Sequence, residues 1–298
     1  MTSERSAACV LAFDDEAAFA ARLAAALGTP LHVVERHRFP DGEVKLRLPP
    51  ALPPRVILLR GLHHPNEKLV ELLLAAPGAR ELGAREVTLV APYLAYMRQD
   101  MAFAPGEVVS QRHVGALLAQ AFDAVITVDP HLHRVRSIDD VVPQRRGVAL
   151  SAAPLLGAWI AQQVAAPVIV GPDEESDQWV REAARGHGLE AASGRKLRRG
   201  DCDVSVMLPD VDVQGRAVVL MDDVASTGHT LAAAASQLRE RGAASIDVAV
   251  THALFVGDAI ERLHQAGVLR VWSTDAVPHE TNRVSVVPLL AAALRRDR

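Results

Sequence analysis

Short apolar runs recur along the chain and alternate with longer segments that have one polar face. A strand covered by helices on both faces of a sheet is apolar on both sides, and an amphipathic helix repeats its apolar positions every three to four residues. These patterns predict strands at Val10–Phe13, Val56–Leu59, Val87–Val90, Ala124–Val128, Val168–Val170, Val204–Leu208, Ala217–Met221, Ile246–Val250 and Val268–Trp272. They predict helices at Asn66–Leu74, Gln111–Phe122, Glu175–His187, Thr230–Arg241 and Ala259–Ala266.

The alternation of strands and helices predicts an α/β fold with parallel sheets. A chain of 298 residues corresponds to about two domains. The polar, proline-containing stretch from Asp139 to Gly147 has strand–helix units on both sides, so it is the best candidate for a boundary. We predict two similar domains, residues 1–146 and 147–298, each a mainly parallel sheet flanked by helices.

The charge balance narrows the possible partners. The chain has 32 Lys and Arg against 36 Asp and Glu, a net charge of −4. This balance gives no general electrostatic reason to bind nucleic acid or an anionic membrane. Cys9 and Cys202 are far apart, which argues against a disulfide scaffold or a thiolate metal site. A reducing cytoplasm is therefore the expected location, and with no long apolar stretch behind the N-terminus we expect no signal peptide.

One segment is long enough to suggest a membrane span. Residues 147–172 contain no charged side chain. The segment nevertheless includes Pro154 and Pro167 and divides into a helix after Ser151 and a short strand at Val168–Val170. We expect a buried helix and strand here, and no membrane contact.

The strongest chemical signal is a strand that runs through two acids into a small-residue turn and a helix. Backbone N–H groups at such a turn form an anion site at the carboxyl end of a parallel strand. Asp222 and Asp223 can accept hydrogen bonds from a sugar diol or approach a Mg²⁺ ion. The alternative is a strand end with a capping aspartate. The turn residues suited to wrapping a phosphate are Ala225, Ser226, Thr227, Gly228, His229 and Thr230.

This segment resembles the phosphoribosyl-diphosphate loop shared by type I phosphoribosyltransferases and ribose-phosphate diphosphokinases. The diphosphokinase family is further indicated by landmarks that follow its order and span nearly the whole chain, whereas simple phosphoribosyltransferases are about one domain long. The resemblance implies two phosphoribosyltransferase-type domains, an ATP side before the boundary and a ribose 5-phosphate side after it. The landmarks are Phe39–Glu43, Pro92–Asp100, Asp129–His131, Gly171–Asp173, Lys196–Arg198 and Thr251-His252.

The resemblance assigns ATP to residues of the first half. Phe39 offers a stacking face for the base, and Asp41 and Glu43 can accept hydrogen bonds from its amino group or from the sugar. Arg98 and Gln99 can grip the triphosphate and an adenine edge. The alternative for Phe39 is plain core packing.

The family places a Mg²⁺ ion beside the substrate phosphates, and the implied metal-side residues are His131 and Asp173. Oxygen ligands from one or two carboxylates plus phosphates are the usual environment of Mg²⁺. His131 with His133 could alternatively suggest zinc, but the nearby sequence offers neither a cysteine nor a third histidine.

A glycine-bracketed basic cluster at residues 194–200 matches the family's mobile catalytic loop. Lys196 and Arg198 are its two catalytic cations by resemblance. Taken alone, a charge run of this kind is usually a solvated face.

The implied activity is ribose-phosphate diphosphokinase, which transfers the diphosphoryl group of ATP to ribose 5-phosphate and releases AMP. The family also implies a homo-oligomer, a dimer or larger, with ATP bound partly across an interface. Two alternatives remain: a phosphoribosyltransferase that consumes phosphoribosyl diphosphate, and a non-catalytic regulatory partner of a true synthetase. Met101-Ala102 and Glu174-Glu175 depart from the family pattern and favour the regulatory partner, whereas Lys196 and Arg198 speak against it.

Overall fold

We describe residues 8–102, 104–132, 137–198 and 204–296 of the chain in a computed structural model. The first part of the chain contains β1 (Ala8–Phe13), α1 (Ala17–Leu27), β2 (Leu31–Arg38), β3 (Val44–Arg47), β4 (Arg55–Leu59), α2 (Pro65–Glu81), β5 (Glu86–Ala91), α3 (Ser110–Ala121), β6 (Ala124–Val128) and β7 (Arg146–Leu150). The rest contains α4 (Ala153–Gln163), β8 (Val168–Gly171), α5 (Asp177–Arg185), β9 (Glu190–Ser193), β10 (Arg195–Arg198), β11 (Val204–Met207), β12 (Ala217–Ala225), α6 (His229–Glu240), β13 (Ser245–Ala253), α7 (Ala259–Gln265), β14 (Arg270–Thr274), β15 (Asn282–Val284) and α8 (Val287–Arg296).

The chain divides into two compact units, Met1–Leu150 with Val287–Arg298, and Ser151–Val286. The boundary predicted between residues 146 and 147 therefore falls inside β7, which belongs to the first unit because it pairs along its length with β6. The C-terminal helix α8 also belongs to the first unit, where it packs against α1. There Arg295 donates a hydrogen bond to the carbonyl oxygen of Ala26.

The first unit is built on a seven-stranded sheet with the order β3-β2-β1-β4-β5-β6-β7. Among the described strands, neighbours in this sheet run parallel except β2 and β3, which form an antiparallel ribbon at one edge. The hydrophobic pattern did not predict this ribbon, because β2 and β3 carry charged side chains and are largely exposed. The carboxyl ends of the parallel strands share one edge of the sheet, where ligands bind in open α/β folds.

The second unit is built on a six-stranded parallel sheet with the order β15-β14-β13-β12-β8-β9. Val218 and Leu220 of β12 pack into the core on one face, and Val219 and Met221 pack into the core on the other. All four side chains are fully buried. This confirms the interpretation of two-sided apolar runs as strands covered by helices on both faces.

The strand predicted at Val204–Leu208 exists as β11, but it is not part of the main sheet. It pairs antiparallel with β10 in a separate two-stranded sheet. Met207 is 45% exposed, so an apolar sequence here does not mark a fully buried strand. A short apolar run indicates strand propensity without specifying the partner, and tertiary context decides it.

The uncharged segment 147–172 forms the predicted helix and strand, α4 and β8. Ala153, Leu156 and Ile160 of α4 are buried, as is the whole of β8. Within the described ranges, no helix combines the length and apolarity that crossing a membrane would need.

Candidate active site

The paired acids lie where β12 extends past its neighbour. β12 pairs with β8 up to Leu220 but continues alongside β13 to Ala225. Asp222 and Asp223 therefore follow the end of β8 and border the space beyond it. Asp222 is partly exposed and Asp223 is buried, and the Oδ1 atom of Asp222 accepts a hydrogen bond of 3.0 Å from the Asp223 backbone N–H.

Asp173 lies in the turn that leaves β8. Its Oδ1 atom accepts hydrogen bonds from the backbone N–H groups of Glu175 at 3.1 Å and Ser176 at 3.3 Å. The Ser176 hydroxyl donates to the Asp173 carbonyl oxygen at 2.7 Å. A Cβ atom at Gly171 would lie 2.2 Å from the Ser176 hydroxyl, so this tight turn requires glycine. The turn holds the Asp173 carboxylate in a buried position ahead of α5.

Three carboxylates influence one another at this edge. Burial, followed by the charges of Asp223 and Asp173, raises the pKa of Asp222 well above its ordinary value. A neighbouring negative charge makes ionisation of a carboxyl less favourable and so raises its pKa. A cation or several hydrogen-bond donors at this edge would relieve the repulsion, so the acids suit a polyhydroxylated ligand, or a metal ion that takes its other ligands from the substrate.

The turn from Ala225 to Thr230 is shaped for an anion. Gly228 has a positive φ of 74° directly ahead of α6, a backbone conformation that favours glycine. The hydroxyl-bearing Ser226 and Thr230 are partly exposed, and Thr227 is exposed. Because Gly228 has no side chain that could cap the helix, the first-turn N–H groups of α6 are suited to an anion.

Neighbouring loops hold the backbone of this turn. The Leu254 N–H donates to the Ala225 carbonyl oxygen at 2.9 Å, and the Val256 N–H donates to that of Ser226 at 3.2 Å. The Arg262 guanidinium donates to the Thr227 carbonyl oxygen. These contacts fix the loop before any ligand arrives, which lowers the entropic cost of binding.

In the first unit, Arg98 and Gln99 lie on the long loop after β5. Arg98 is exposed and Gln99 is partly exposed. The Gln111 backbone N–H donates to the Gln99 carbonyl oxygen at 3.3 Å, and the Gln111 amide donates to that of Met97 at 3.3 Å. The start of α3 thus anchors the loop while the Arg98 side chain faces solvent.

Asp129 and His131 follow the next strand of the sheet, β6. Asp129 is buried with a φ of 36°, and its N–H donates to the Leu150 carbonyl oxygen at 2.8 Å. His131 is partly exposed. The Val128 N–H donates to the Pro92 carbonyl oxygen at 3.3 Å, so the loops that carry Arg98 and His131 begin side by side.

Phe39 occupies the tip of the β2–β3 ribbon and is 37% exposed, so the core-packing alternative for it is wrong. The Phe39 N–H donates to the Glu43 carbonyl oxygen at 2.8 Å, and the Gly42 N–H donates to that of Phe39 at 3.0 Å. The Asp41 carboxylate accepts from the Glu43 N–H at 3.2 Å. His37 contacts Phe39 edge-on, with ring centroids 4.7 Å apart.

The structure brings only some of the predicted residues together. Asp173, Asp222, Asp223 and the turn before α6 form one cluster in the second unit. In the first unit, β1 and β4 separate β2 from β5. The strands that precede Phe39 and Arg98 are thus three strand spacings apart, or about 14 Å. The described residues contain no group of three or more His, Cys, Asp or Glu side chains arranged to hold a metal ion, and His133 lies outside them.

Comparisons with known proteins identify the family. Residues 8–121 match the N-terminal domain of ribose phosphate pyrophosphokinase, and residues 205–296 match the phosphoribosyl synthetase-associated domain. A ribose-phosphate pyrophosphokinase of Methanopyrus kandleri is 39% identical over 288 residues, which are 96% of this chain and 98% of that protein. The chain belongs to the ribose-phosphate pyrophosphokinase family. Pyrophosphokinase is another name for the diphosphokinase that the landmarks indicated.

Further relatives agree with the family assignment. A ribose-phosphate pyrophosphokinase of Methanosarcina acetivorans is 35% identical, covering 93% of this chain and 95% of that protein. The crystal structure of phosphoribosylpyrophosphate synthetase from Mycobacterium smegmatis matches with a TM-score of 0.85 and 26% identity over 98% of both chains. These matches confirm the predicted α/β fold.

Residues 195–198 of the basic cluster form β10, which pairs antiparallel with β11. In backbone register, Lys196 pairs with Val206 and Arg198 pairs with Val204. The side chains of Lys196 and Arg198, and residues 199–203 between the two strands, lie outside the described residues.

One departure from the family pattern has a structural explanation. Glu174 and Glu175 are exposed, and a Glu174 carboxylate oxygen lies 3.4 Å from Nε of Arg195 at the start of β10. Glu174 therefore pairs with a cation of the basic cluster. Nothing in the structure explains Met101 and Ala102.

Arg262 supports the turn before α6, and the sequence analysis did not identify it. It lies on α7, is held by Asp258 through bonds of 2.8 and 3.0 Å, and reaches the Thr227 carbonyl oxygen. The contact joins residues 35 positions apart, and helical periodicity carries no signal for such a pairing.

Proposed function

We propose that the chain transfers the β,γ-diphosphoryl group of ATP to the C1 hydroxyl of ribose 5-phosphate, giving 5-phospho-α-ribose 1-diphosphate and AMP. The observation that carries the proposal is the acid pair Asp222-Asp223 joined to an anion-shaped turn in a chain of the ribose-phosphate pyrophosphokinase family. In a sugar phosphate, the phosphate group would bind at the turn and the sugar hydroxyls would bind at the acids.

Ribose 5-phosphate would bind along the end of β12. The exposed hydroxyls of the turn and the N–H groups entering α6 suit the 5-phosphate. Asp222 and Asp223 would accept hydrogen bonds from the ribose hydroxyls. These hydroxyls would supply donors to the acids, among which burial and then the neighbouring negative charges raise the pKa of Asp222.

ATP would bind to residues of the first unit. Arg98 presents an exposed guanidinium suited to bidentate contact with phosphate oxygens. Gln99 would contact the base edge, Phe39 would stack on the adenine, and Asp41 and Glu43 would accept from its amino group or from the sugar. Because the family resemblance implies ATP bound partly across an interface, we propose that a second copy of the chain supplies the Phe39 ribbon to each ATP site.

We propose Mg²⁺ as the cofactor, with Asp173 as the candidate ligand in the second unit and His131 as the candidate ligand in the first. The carboxylate oxygens at this edge and the raised pKa of Asp222 fit a hard divalent cation. The ion would supply charge neutralisation on the phosphate oxygens.

The reaction requires alignment and charge stabilisation more than covalent help from the protein. The C1 oxygen of ribose 5-phosphate forms a bond to the β-phosphorus of ATP while the bond from that phosphorus to the oxygen of AMP breaks. Lys196 and Arg198 would stabilise the charge that develops on the transferred group.

We also propose a cytoplasmic location, since the described Cys9 is a buried free thiol and ATP is available there.

The test is AMP formation from ATP and Mg²⁺ with ribose 5-phosphate, and with ribose lacking the phosphate as a control. We expect AMP only with the sugar phosphate. Asp222→Asn should lower kcat/KM roughly tenfold to a hundredfold, since bonds to charged acceptors are strong. Asp210→Asn, an exposed carboxylate of the same unit, should leave kcat/KM unchanged.

The two alternatives give different results in the same assay. A phosphoribosyltransferase would form no AMP but would release diphosphate from phosphoribosyl diphosphate when given a nucleobase. A regulatory partner would do neither. Absence of AMP across pH and divalent metals would overturn the proposed function.

A further inference from the structure

The β2–β3 ribbon leaves the sheet before it reaches Phe39. β2 pairs with β1 only up to Val34, whereas residues 35–38 pair with β3 alone. A two-stranded ribbon is marginally stable without other support. Something outside the ribbon must therefore fix the direction in which Phe39 points.

Two arginine–glutamate pairs connect the ribbon to helix α2. Near the base of the ribbon, Arg36 Nη1 lies 2.6 Å from Glu71 Oε1. Next to the tip, Arg38 binds Glu67 through two bonds of 3.1 and 2.6 Å. Side chains two residues apart on a strand and four apart on a helix are both spaced by about 6 Å along their elements. The spacing of the two arginines on β2 therefore matches the spacing of the two glutamates on α2.

The pair at the base continues into a buried charge network. Glu71 Oε2 accepts from Arg60 at 2.5 Å, and Arg60 also binds Asp15 at 2.7 Å and Glu16 at 3.0 Å. Arg60 and Glu71 are each 1% exposed. Buried charges with this many partners have one favourable arrangement, so the base of the ribbon is fixed relative to β1, β4 and α2.

We propose that Arg36–Glu71 and Arg38–Glu67 position the Phe39 tip for the nucleotide base, an inference that rests on the proposed function. These four are positioning residues, since they act through the ribbon and not by contact with substrate. Arg38 and Glu67 are 51% and 66% exposed in their side chains. A surface pair of this kind contributes little to global stability, so its main effect is on the geometry of the tip.

The experiment uses the full chain and measures kinetics for both substrates. Arg38→Glu and Glu67→Gln should each raise KM for ATP roughly threefold to tenfold, with kcat and KM for ribose 5-phosphate within about twofold. The exchanged pair Arg38→Glu with Glu67→Arg should recover most of the wild-type KM, because the ribbon is again tied to α2. The matched control is Arg47→Glu, which breaks an ion pair to Glu35 within the ribbon and should leave KM for ATP unchanged.

Three outcomes separate the possible failures. If the wild type is active and Glu67→Gln leaves KM for ATP unchanged, the positioning role is wrong and the proposed function stands. If only the Arg38 change raises KM and the exchanged pair does not recover it, Arg38 contacts ATP directly and the inference is overturned. If the wild type forms no AMP, the proposed function fails, and amide hydrogen exchange at Phe39 and Gly42 still tests the ribbon: Glu67→Gln should speed it, and unchanged exchange overturns the inference.

Discussion

At the residue scale, a functional and a structural role can coexist in one side chain. Asp173 fixes the turn ahead of α5 through Oδ1, which accepts hydrogen bonds from two backbone N–H groups, and its charge also contributes to the raised pKa of Asp222. Phe39 differs, because its exposure at a ribbon tip excludes the structural role of core packing. The sequence alone leaves both roles open for such a residue, and its burial and hydrogen bonds in the structure decide between them.

Lys196→Ala should lower kcat far more than it raises either KM. A cation that meets charge developing in the transition state contributes little to the ground state, so kcat should fall roughly a hundredfold or more. Steady-state kinetics with both substrates provides the measurement.

Arg195→Ala is the matched control for this change. It removes a cation from the same strand that pairs with Glu174, and kcat should change by less than about threefold because exposed pairs are weak. Equal loss in both variants, or an unchanged kcat in Lys196→Ala, would remove Lys196 from the mechanism.

At the element scale, the strand–turn–helix unit from β12 to α6 is the centre of the proposed ribose 5-phosphate site. Its strand is held between β8 and β13, and its turn is held by the loop after β13 and by α7. Gly228 lies at the point where chain direction changes.

Gly228→Ala should weaken binding of ribose 5-phosphate. The positive φ costs a non-glycine residue about 1–2 kcal/mol, and the added Cβ would lie 3.3 Å from the Ala259 carbonyl oxygen. The turn must shift, so KM for ribose 5-phosphate should rise while KM for ATP stays unchanged in initial-rate measurements.

Gly215→Ala tests whether this effect is local. Gly215 also has a positive φ, of 69°, but a Cβ there meets nothing within 4 Å. We expect a similar loss of stability in thermal unfolding with no change in either KM. A rise in KM for ribose 5-phosphate in both variants would show that general destabilisation, and not the turn, is responsible.

At the scale of the whole molecule, the buried charges of the first unit make its stability depend on pH. Burial and then the charge of Lys68 lower the pKa of His63 to about 4. The unfolded chain takes up a proton near 6.5 and the folded chain only near 4. The contribution of neutral His63 is therefore complete above pH 6.5 and is lost as the pH falls toward 4.

His63→Asn should make the protein less sensitive to acid. Asparagine does not titrate, so between pH 6.5 and 4 the variant should gain up to roughly 3 kcal/mol of unfolding free energy relative to the wild type. Urea unfolding at pH 7 and pH 4.5 gives the comparison. An unfolding free energy that changes with pH in His63→Asn as it does in the wild type would contradict the role of His63.

If two copies of the chain share each ATP site, a variant that lacks Phe39 and a variant that lacks Arg98 should complement each other. Phe39→Ala and Arg98→Ala should each impair the enzyme, and mixing them with subunit exchange should restore activity to about a quarter of the wild type in a two-fold dimer. Mass spectrometry of the mixture verifies the exchange. No recovery in exchanged mixtures would show that one chain supplies both residues.

The sequence by itself determined the elements and their chemistry: the two-sided apolar run of β12, the acids at its end and the small-residue turn before α6. These follow from short-range rules, because burial on both faces and backbone geometry leave a local record in residue type. Only the tertiary structure decided which segments meet. It paired β11 with β10, carried α8 back to the first unit, and joined Arg36 to Glu71 and Arg262 to the turn before α6. Periodicity records that a face is buried but not which distant segment covers it, and charged pairs formed between distant residues leave no period at all.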